Sequence, residues 1–287
     1  MRIDCDTPLD PREAAGMTQR IGANPLGRRV TVGSATFLAA GLLLTGCGVG
    51  GTEPPPSTPA DPKDTLLAAV PNETTPAFRF SGTEVGGASV SGSVDPLLKA
   101  MELTFIQTDI ETKAGGEFSM TMSLRLIDER AWTKVSVGET AEMNEQLGLP
   151  RQWVELDQSK LSSIPEYDGA DMGNAALIIR AADEVQQQAD GSYTGTVDLT
   201  DESEVAEVVM NGDIAALGEQ ATSLPFTAVI GSDGNLDTLS VDLPAVDEQP
   251  AAEYVVKYFD YGNAPAITPP AGDVAPAPDA VYEMLGE

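Results

Sequence analysis

The chain has 287 residues, of which 41% are hydrophobic and 21% charged, and its 45 Asp+Glu against 16 Lys+Arg give a formal charge of −29. So acidic a chain lacks the cations that neutralise phosphates, which disfavours nucleic acid as a partner and favours a solvated, soluble surface. There is no histidine, which removes Ser-His-Asp and Cys-His catalysis, histidine metal ligands and a histidine pH switch.

The N-terminal region carries the strongest motif. Val30 to Leu44 is an apolar run holding Phe37, Leu38, Leu42, Leu43 and Leu44, directly behind Arg28 and Arg29. It is too short for a bilayer span of about 20 residues but suits the apolar core of a secretory signal. The run ends in Leu44-Thr45-Gly46-Cys47, which has the form of a lipobox, with small residues before a cysteine whose thiol accepts diacylglycerol. Residues 1–46 are therefore expected to be a signal peptide, and Met17 is a more natural start than the acidic stretch before it. Cleavage at Cys47 would remove five bases and four acids, leaving 41 acids against 11 bases, a charge of −30. An anionic membrane surface repels such a chain, so a covalent lipid is what would hold it there. Cys5 and Cys47 are the two cysteines, and neither is left for a disulfide. Residues 47–62 are rich in Gly, Pro, Ser and Thr and read as a lipidated, disordered linker.

From Asp61 onward the pattern changes. Asp61 as N-cap and Pro62 at the first helical position predict a short helix to Val70. Ala88 to Asp95 and Met101 to Phe105 alternate apolar and polar residues. The clearest run sets Phe118, Met120, Met122, Leu124 and Leu126 against Glu117, Ser119, Thr121, Ser123 and Arg125. Ten residues of period two predict a long strand with one face in the core and one in water. Further strands are expected at Arg130 to Val137, Gln152 to Leu156, Glu184 to Gln188, Tyr193 to Leu199, Phe226 to Ile230, Leu236 to Leu243 and Tyr254 to Tyr261. Helices are expected at Glu139 to Leu147, Ala175 to Ala182 and Asp201 to Met210. Asp190-Gly191 and Ser232-Asp233-Gly234-Asn235 have hairpin-turn chemistry. Residues 271–287 read as a Pro-rich tail outside the core, with a short helix at Asp279 to Leu285.

About nine strands and few helices give an α+β chain built on an antiparallel sheet. Too few helical residues are present to cover such a sheet, which predicts that it curls into a half-barrel with the helices as a partial lid on its concave side. A hollow of that kind is a common form of ligand site.

The order of elements resembles the LppX/LprAFG family of actinobacterial lipoproteins, related in fold to the periplasmic lipoprotein carrier LolA and its outer-membrane receptor. The likeness is carried by Phe80-Ser-Gly with Ser91-Gly-Ser-Val-Asp95, by Leu126-Ile-Asp-Glu-Arg-Ala-Trp132-Thr-Lys134 with Gln152-Trp153-Val-Glu-Leu-Asp157, and by Tyr193-Thr-Gly-Thr-Val-Asp-Leu199. The closing stretches Leu224 to Ile230, Leu239 to Asp242, Tyr258-Phe-Asp-Tyr261 and Ile267-Thr-Pro-Pro270 complete it. The resemblance implies a LolA-like half-barrel over residues 63–270 and the binding or carriage of a lipid or acylated glycolipid rather than catalysis, with no cofactor or metal. The expected cavity residues are Met101, Leu103, Phe105, Phe118, Met120, Met122 and Leu124. The expected place is the extracytoplasmic face of the cell membrane, through lipid on Cys47. The alternative is a non-catalytic envelope interaction protein whose core is packed. An enzyme is the least favoured reading, since Asp168 with Asp171, or Asp201 with Glu202, are the acid–base pairs at hand and 45 acids produce such pairs by chance.

Overall fold

The computed structural model describes residues 60–285, apart from 84–87, 112–115, 139, 162–166, 168, 201–202, 211–213 and 247–249. Cys47 and the expected signal peptide lie outside the described residues, as do Asp168, Asp201 and Glu202.

Helix α1 (Pro62–Ala69) begins as its sequence requires, with the Asp61 carboxylate accepting from the Lys63 amide at 2.8 Å. The chain then runs through β1 (Phe78–Thr83), β2 (Ser89–Asp95), β3 (Ala100–Glu111), β4 (Glu117–Ile127) and β5 (Arg130–Val137). Helix α2 (Ala141–Leu147) and the two-residue β6 (Val154–Glu155) come next, followed by α3 (Ala175–Ala181). Strands β7 (Ala182–Gln187) and β8 (Tyr193–Val197) precede α4 (Ser203–Met210), and β9 (Leu224–Ile230), β10 (Leu236–Leu243) and β11 (Ala252–Phe259) follow. The tail adds β12 (Ala275–Pro276) and α5 (Asp279–Leu285).

The twelve strands found among the described residues form a single open sheet in the order β12-β6-β5-β4-β3-β2-β1-β11-β10-β9-β8-β7. Every pairing is antiparallel except that of β12 with β6. The protein is thus α+β with a large, mostly antiparallel, unclosed sheet. Most neighbouring strands follow one another in sequence, with α2 inserted between β5 and β6 and α4 between β8 and β9, and β11 joins the two ends of the series by pairing with β1 (Phe80 opposite Tyr258).

Period two is what gives the sheet two different faces. On one face of β3 and β4, Met101, Leu103 and Phe105 lie opposite Leu126, Leu124 and Met122. On the other, Glu102 pairs with Arg125 as an ion pair, and Thr104 Oγ1 lies 3.1 Å from Ser123 Oγ. The sheet is tight enough at one place to demand glycine. A Cβ on Gly92 would come within 2.9 Å of the Phe80 ring and onto the Glu102 carbonyl.

Two parts of the fold exceed what the pattern predicts. Strand β6 is too short to pair the upper half of β5, and Asn144 of α2 takes its place. Its side chain accepts from the Val137 amide at 2.8 Å and donates to the carbonyls of Val135 (2.8 Å) and Leu149 (3.2 Å). The second is a correction at the C-terminus. Residues 271–287, read as a tail outside the core, supply Ala277, Val281, Tyr282 and Met284 to the core cluster. The Asp157 amide donates to Tyr282 Oη at 2.8 Å, and the Ala277 amide to the Glu155 carbonyl at 2.8 Å, so the segment straps the β6 edge of the sheet. Prolines stop a helix or an interior strand but suit an edge strap, where few amides are needed.

Candidate functional site

The seven residues expected to line a cavity all lie on β3 and β4, and cross-strand pairing puts them on one face. Met101, Leu103 and Phe105 alternate along β3, opposite Leu126, Leu124 and Met122 of β4. Past that point the register shifts between Gln107 and Ile110, so that Met120 lies opposite Gln107 and Phe118 opposite Ile110. This irregularity inserts extra chain into β3 and bends it locally.

Burial divides the seven into two groups. Met101, Leu103 and Met122 are 6%, 7% and 5% exposed and belong to the core cluster. Phe105, Phe118, Met120 and Leu124 are partly buried and pack against it. Val90 of β2, opposite Phe105, is in the same state. A half-covered apolar strip thus runs along β2, β3 and β4 toward the end where β3 turns into β4. The half of the sheet beyond β1 differs. Helix α1 packs on α3, β7 and β9, and α3 packs on α4. Under them Leu224, Phe226, Ala228, Leu236, Leu239 and Val241 are all at or below 1% exposure.

The loop that brings α3 over the sheet is held by a buried polar cluster that no local sequence pattern predicts. Asp171 accepts from the Ala175 amide (2.9 Å), the Ala176 amide (2.8 Å) and Tyr258 Oη (2.8 Å). The Gly173 amide donates to Tyr258 Oη at 3.2 Å, and Tyr254 Oη donates to the Gly173 carbonyl at 2.7 Å. Burial pushes the Asp171 carboxyl above its usual value against the pull of these bonds, and it drives the Tyr258 hydroxyl well up. Both carboxylate oxygens of Asp171 are occupied by structural donors, so this group holds α3 rather than offering a base. Spacing could not have revealed the part of the tyrosines, because Tyr254 and Tyr258 lie more than 80 residues from Gly173 and Asp171 in sequence.

The outer face carries a second arrangement. Arg125 and Lys134 lie against the Trp153 ring, with the guanidinium carbon 4.6 Å and Nζ 4.8 Å from its centroid. Arg125 also donates to the Thr268 carbonyl at 2.6 Å. Trp132 is 1% exposed beneath Arg130, and its indole N–H has no hydrogen-bond partner among the described residues. A hollow of about 310 Å³ lies there between Arg130, Glu155 and the strap at Pro269 to Val274. Another, of about 480 Å³, lies between α1 and the β9–β10 turn, against Ala60, Thr65, Ala68, Ile230 and Gly234. The expected cavity residues line neither. Among the described residues no group of three His, Cys, Asp or Glu side chains could hold a metal ion, and no helix is long and apolar enough to cross a membrane.

No family model matches the sequence, and no curated protein does. Among solved structures, a porin-like protein from Bacteroides uniformis aligns over 66% of this chain and 99% of its own, at 8% identity and a TM-score of 0.19. A superposition so loose carries no argument about fold or function.

Proposed function

We propose that the chain is a membrane-anchored lipoprotein, lipidated at Cys47 on the extracytoplasmic face, that binds or carries a lipid or acylated glycolipid without catalysing a reaction. In this reading the open sheet is a LolA-like half-barrel with its helices on the concave side. The observation that carries the proposal is the unequal cover of one apolar face. Helix α1 lies on β7 and β9, with α3 against it and α4 against α3, and Leu224, Phe226, Leu239 and Val241 are fully buried there, while Phe105, Phe118, Met120 and Leu124 stay half-covered on β3 and β4. Such a strip gains about 0.8 kcal/mol for each methylene of an acyl chain laid on it. Thioether and aromatic side chains adapt to chains of varied shape.

The test is mass spectrometry of the full chain, produced in a lipoprotein-processing bacterial host and extracted in mild detergent. Denatured, it is expected to begin at Cys47 with added diacylglycerol. Under native conditions it is expected to carry a further lipid-sized mass, which Phe105→Glu together with Met120→Glu abolishes. A chain of bare mass that takes up no fluorescent fatty acid would reject the carrier reading. A second reading, an accessory envelope protein with a packed core, draws on the near-complete burial of Met101, Leu103 and Met122. A single crosslinked protein partner and no bound lipid is the outcome that favours it.

A further inference from the structure

Leu97 and Leu98 are 69% and 59% exposed, more than the other exposed large apolar side chains among the described residues, Ile106 and Val229. They are neighbours at the β2–β3 turn, where scattered single leucines would need no explanation but an adjacent pair at a hairpin tip does. The turn is firmly built. Its flanking Pro96 and Ala100 are buried, the Asp95 carboxylate accepts from the Leu98 amide at 3.2 Å, and the Lys99 amide donates to the Pro96 carbonyl at 3.3 Å. Lys99 itself is exposed, in the left-handed conformation that completes the turn. A rigid tip that holds two leucines in water gives up burial that an acyl environment would return.

The topology fixes which end of the sheet this is. Antiparallel pairing puts the β2–β3 turn at the same end as the β4–β5 turn and, through β1 and β11, the β9–β10 turn. Helix α1, through which the chain enters the domain, shares the hollow beside that β9–β10 turn. Its eight residues span about 12 Å. Twelve residues lie between Cys47 and Ala60, a reach of roughly 40 Å at about 3.1 Å per residue. A lipid on Cys47 can therefore set this end of the domain against the bilayer that holds it.

We propose that the Leu97-Leu98-Lys99 tip is the domain's point of contact with the surface of that bilayer. The two leucines enter the interfacial region and Lys99 meets the headgroup phosphates. Asp128, Glu129, Asp233 and Asp260 lie at the same end and oppose deep entry into an anionic surface. A net-neutral phosphatidylcholine surface is therefore the favoured one. This inference rests on the anchored-lipoprotein reading above.

The test uses the full chain carrying Leu98→Trp, with the native chain as the blank for Trp132 and Trp153, on phosphatidylcholine vesicles with brominated acyl chains. The added emission is expected to shift to the blue and to fall at least twofold by bromine quenching. Glu117→Trp, at the opposite end, is expected to do neither. Replacing a third of the lipid by phosphatidylglycerol is expected to weaken the quenching. If a chain whose mass carries the diacylglycerol shows no quenching at the tip, the tip contact is overturned and the anchor stands. If the chain carries no lipid and does not quench, both fall together. A blue shift without bromine quenching, which would mean a protein partner or a second copy on the tip, also overturns the proposal.

Discussion

Two halves of one sheet face are built from the same alternating sequence and end in different states. On β9 and β10 the inward side chains Leu224, Phe226, Ala228, Leu236, Leu239 and Val241 are sealed, from 1% exposure at Leu224 to 0% at Leu239 and Val241. On β3 and β4 the equivalent rows leave Phe105, Phe118, Met120 and Leu124 half-covered. The strands themselves do not explain this, since both sets are long, antiparallel and regular over most of their length. The cover explains it: α1 packs on β7 and β9 with α3 against it and α4 against α3, and the loop before α3 is tied to β11 by Asp171, Gly173, Tyr254 and Tyr258. A period-two pattern states which side chains share a face, and what lies on that face is a separate, long-range decision.

The comparison is sharpest at its phenylalanines. Phe226→Ala, under the helices, is expected to destabilise the fold by about 3–5 kcal/mol, as deletion of a sealed aromatic does. Phe105→Ala, in the half-covered strip, is expected to cost less than half of that in the same denaturant titration, because water or lipid can enter the space. Equal losses would mean that the two halves are packed alike.

Asn144→Ala probes the β5 side. It leaves the Val137 amide and the Val135 and Leu149 carbonyls without their partner, for which we expect a loss of about 2–4 kcal/mol in the denaturation midpoint. Asn144 stands in for a missing strand, and a loss under about 1 kcal/mol would show that water does so equally well.

Gly173→Ala tests the contact that seats α3. An added Cβ would meet Val256 Cγ2 at 2.6 Å, so a cost of about 1–3 kcal/mol from overpacking is expected. The double variant with Val256→Ala should recover part of it, and absence of any recovery would mean that the loop is displaced instead.

Asp171 makes the covered half sensitive to pH. Its folded carboxyl value is raised, with desolvation the largest cause. The folded chain therefore favours the protonated form, and this contribution is present below the unfolded value of about 4 and is lost as pH rises through the higher folded one. Asp171→Asn forfeits an acceptor for the Ala176 amide at every pH. Relative to the native chain, however, its stability should improve as pH rises from 4 to 7, read as a narrowing gap between urea midpoints. A gap that is constant with pH would place the carboxyl at its ordinary value.

The smallest effect belongs to Trp132→Phe. The indole N–H is buried with no partner among the described residues, so removing it along with one ring should change stability by less than about 1 kcal/mol, the lost area offset by the relieved donor. A loss of about 3 kcal/mol or more would show that the N–H is satisfied after all beneath the strap.

Much of this architecture is legible in the chain because it is local. Arg130–Val137, Leu236–Leu243 and the helix Asp279–Leu285 fall where alternation, turn residues and end signals put them. The N-cap at Asp61 and the turn at Gly234 follow from the chemistry of single residues. Strand β3 runs to Glu111, well past Phe105, because its irregular stretch between Gln107 and Ile110 breaks the alternation that would have revealed it. The seven candidate residues share one face, and a face needs nothing more than period two and register. How deeply each is buried could not be read from them.

The sequence by itself determined the acidic balance, which is a sum over the chain, and the alternating strands and most of their turns, since each of these depends on residues within a few positions of one another. The tertiary structure alone decided that twelve strands form one open sheet, that the Pro-rich C-terminus straps its edge and that Asn144 replaces a strand. It also decided which half of the apolar face the helices cover. Those outcomes depend on partners brought together across long stretches of chain, such as Asp171 with Tyr258 and Asp157 with Tyr282. Their free energy comes from shared burial and satisfied polar groups, which no local pattern encodes.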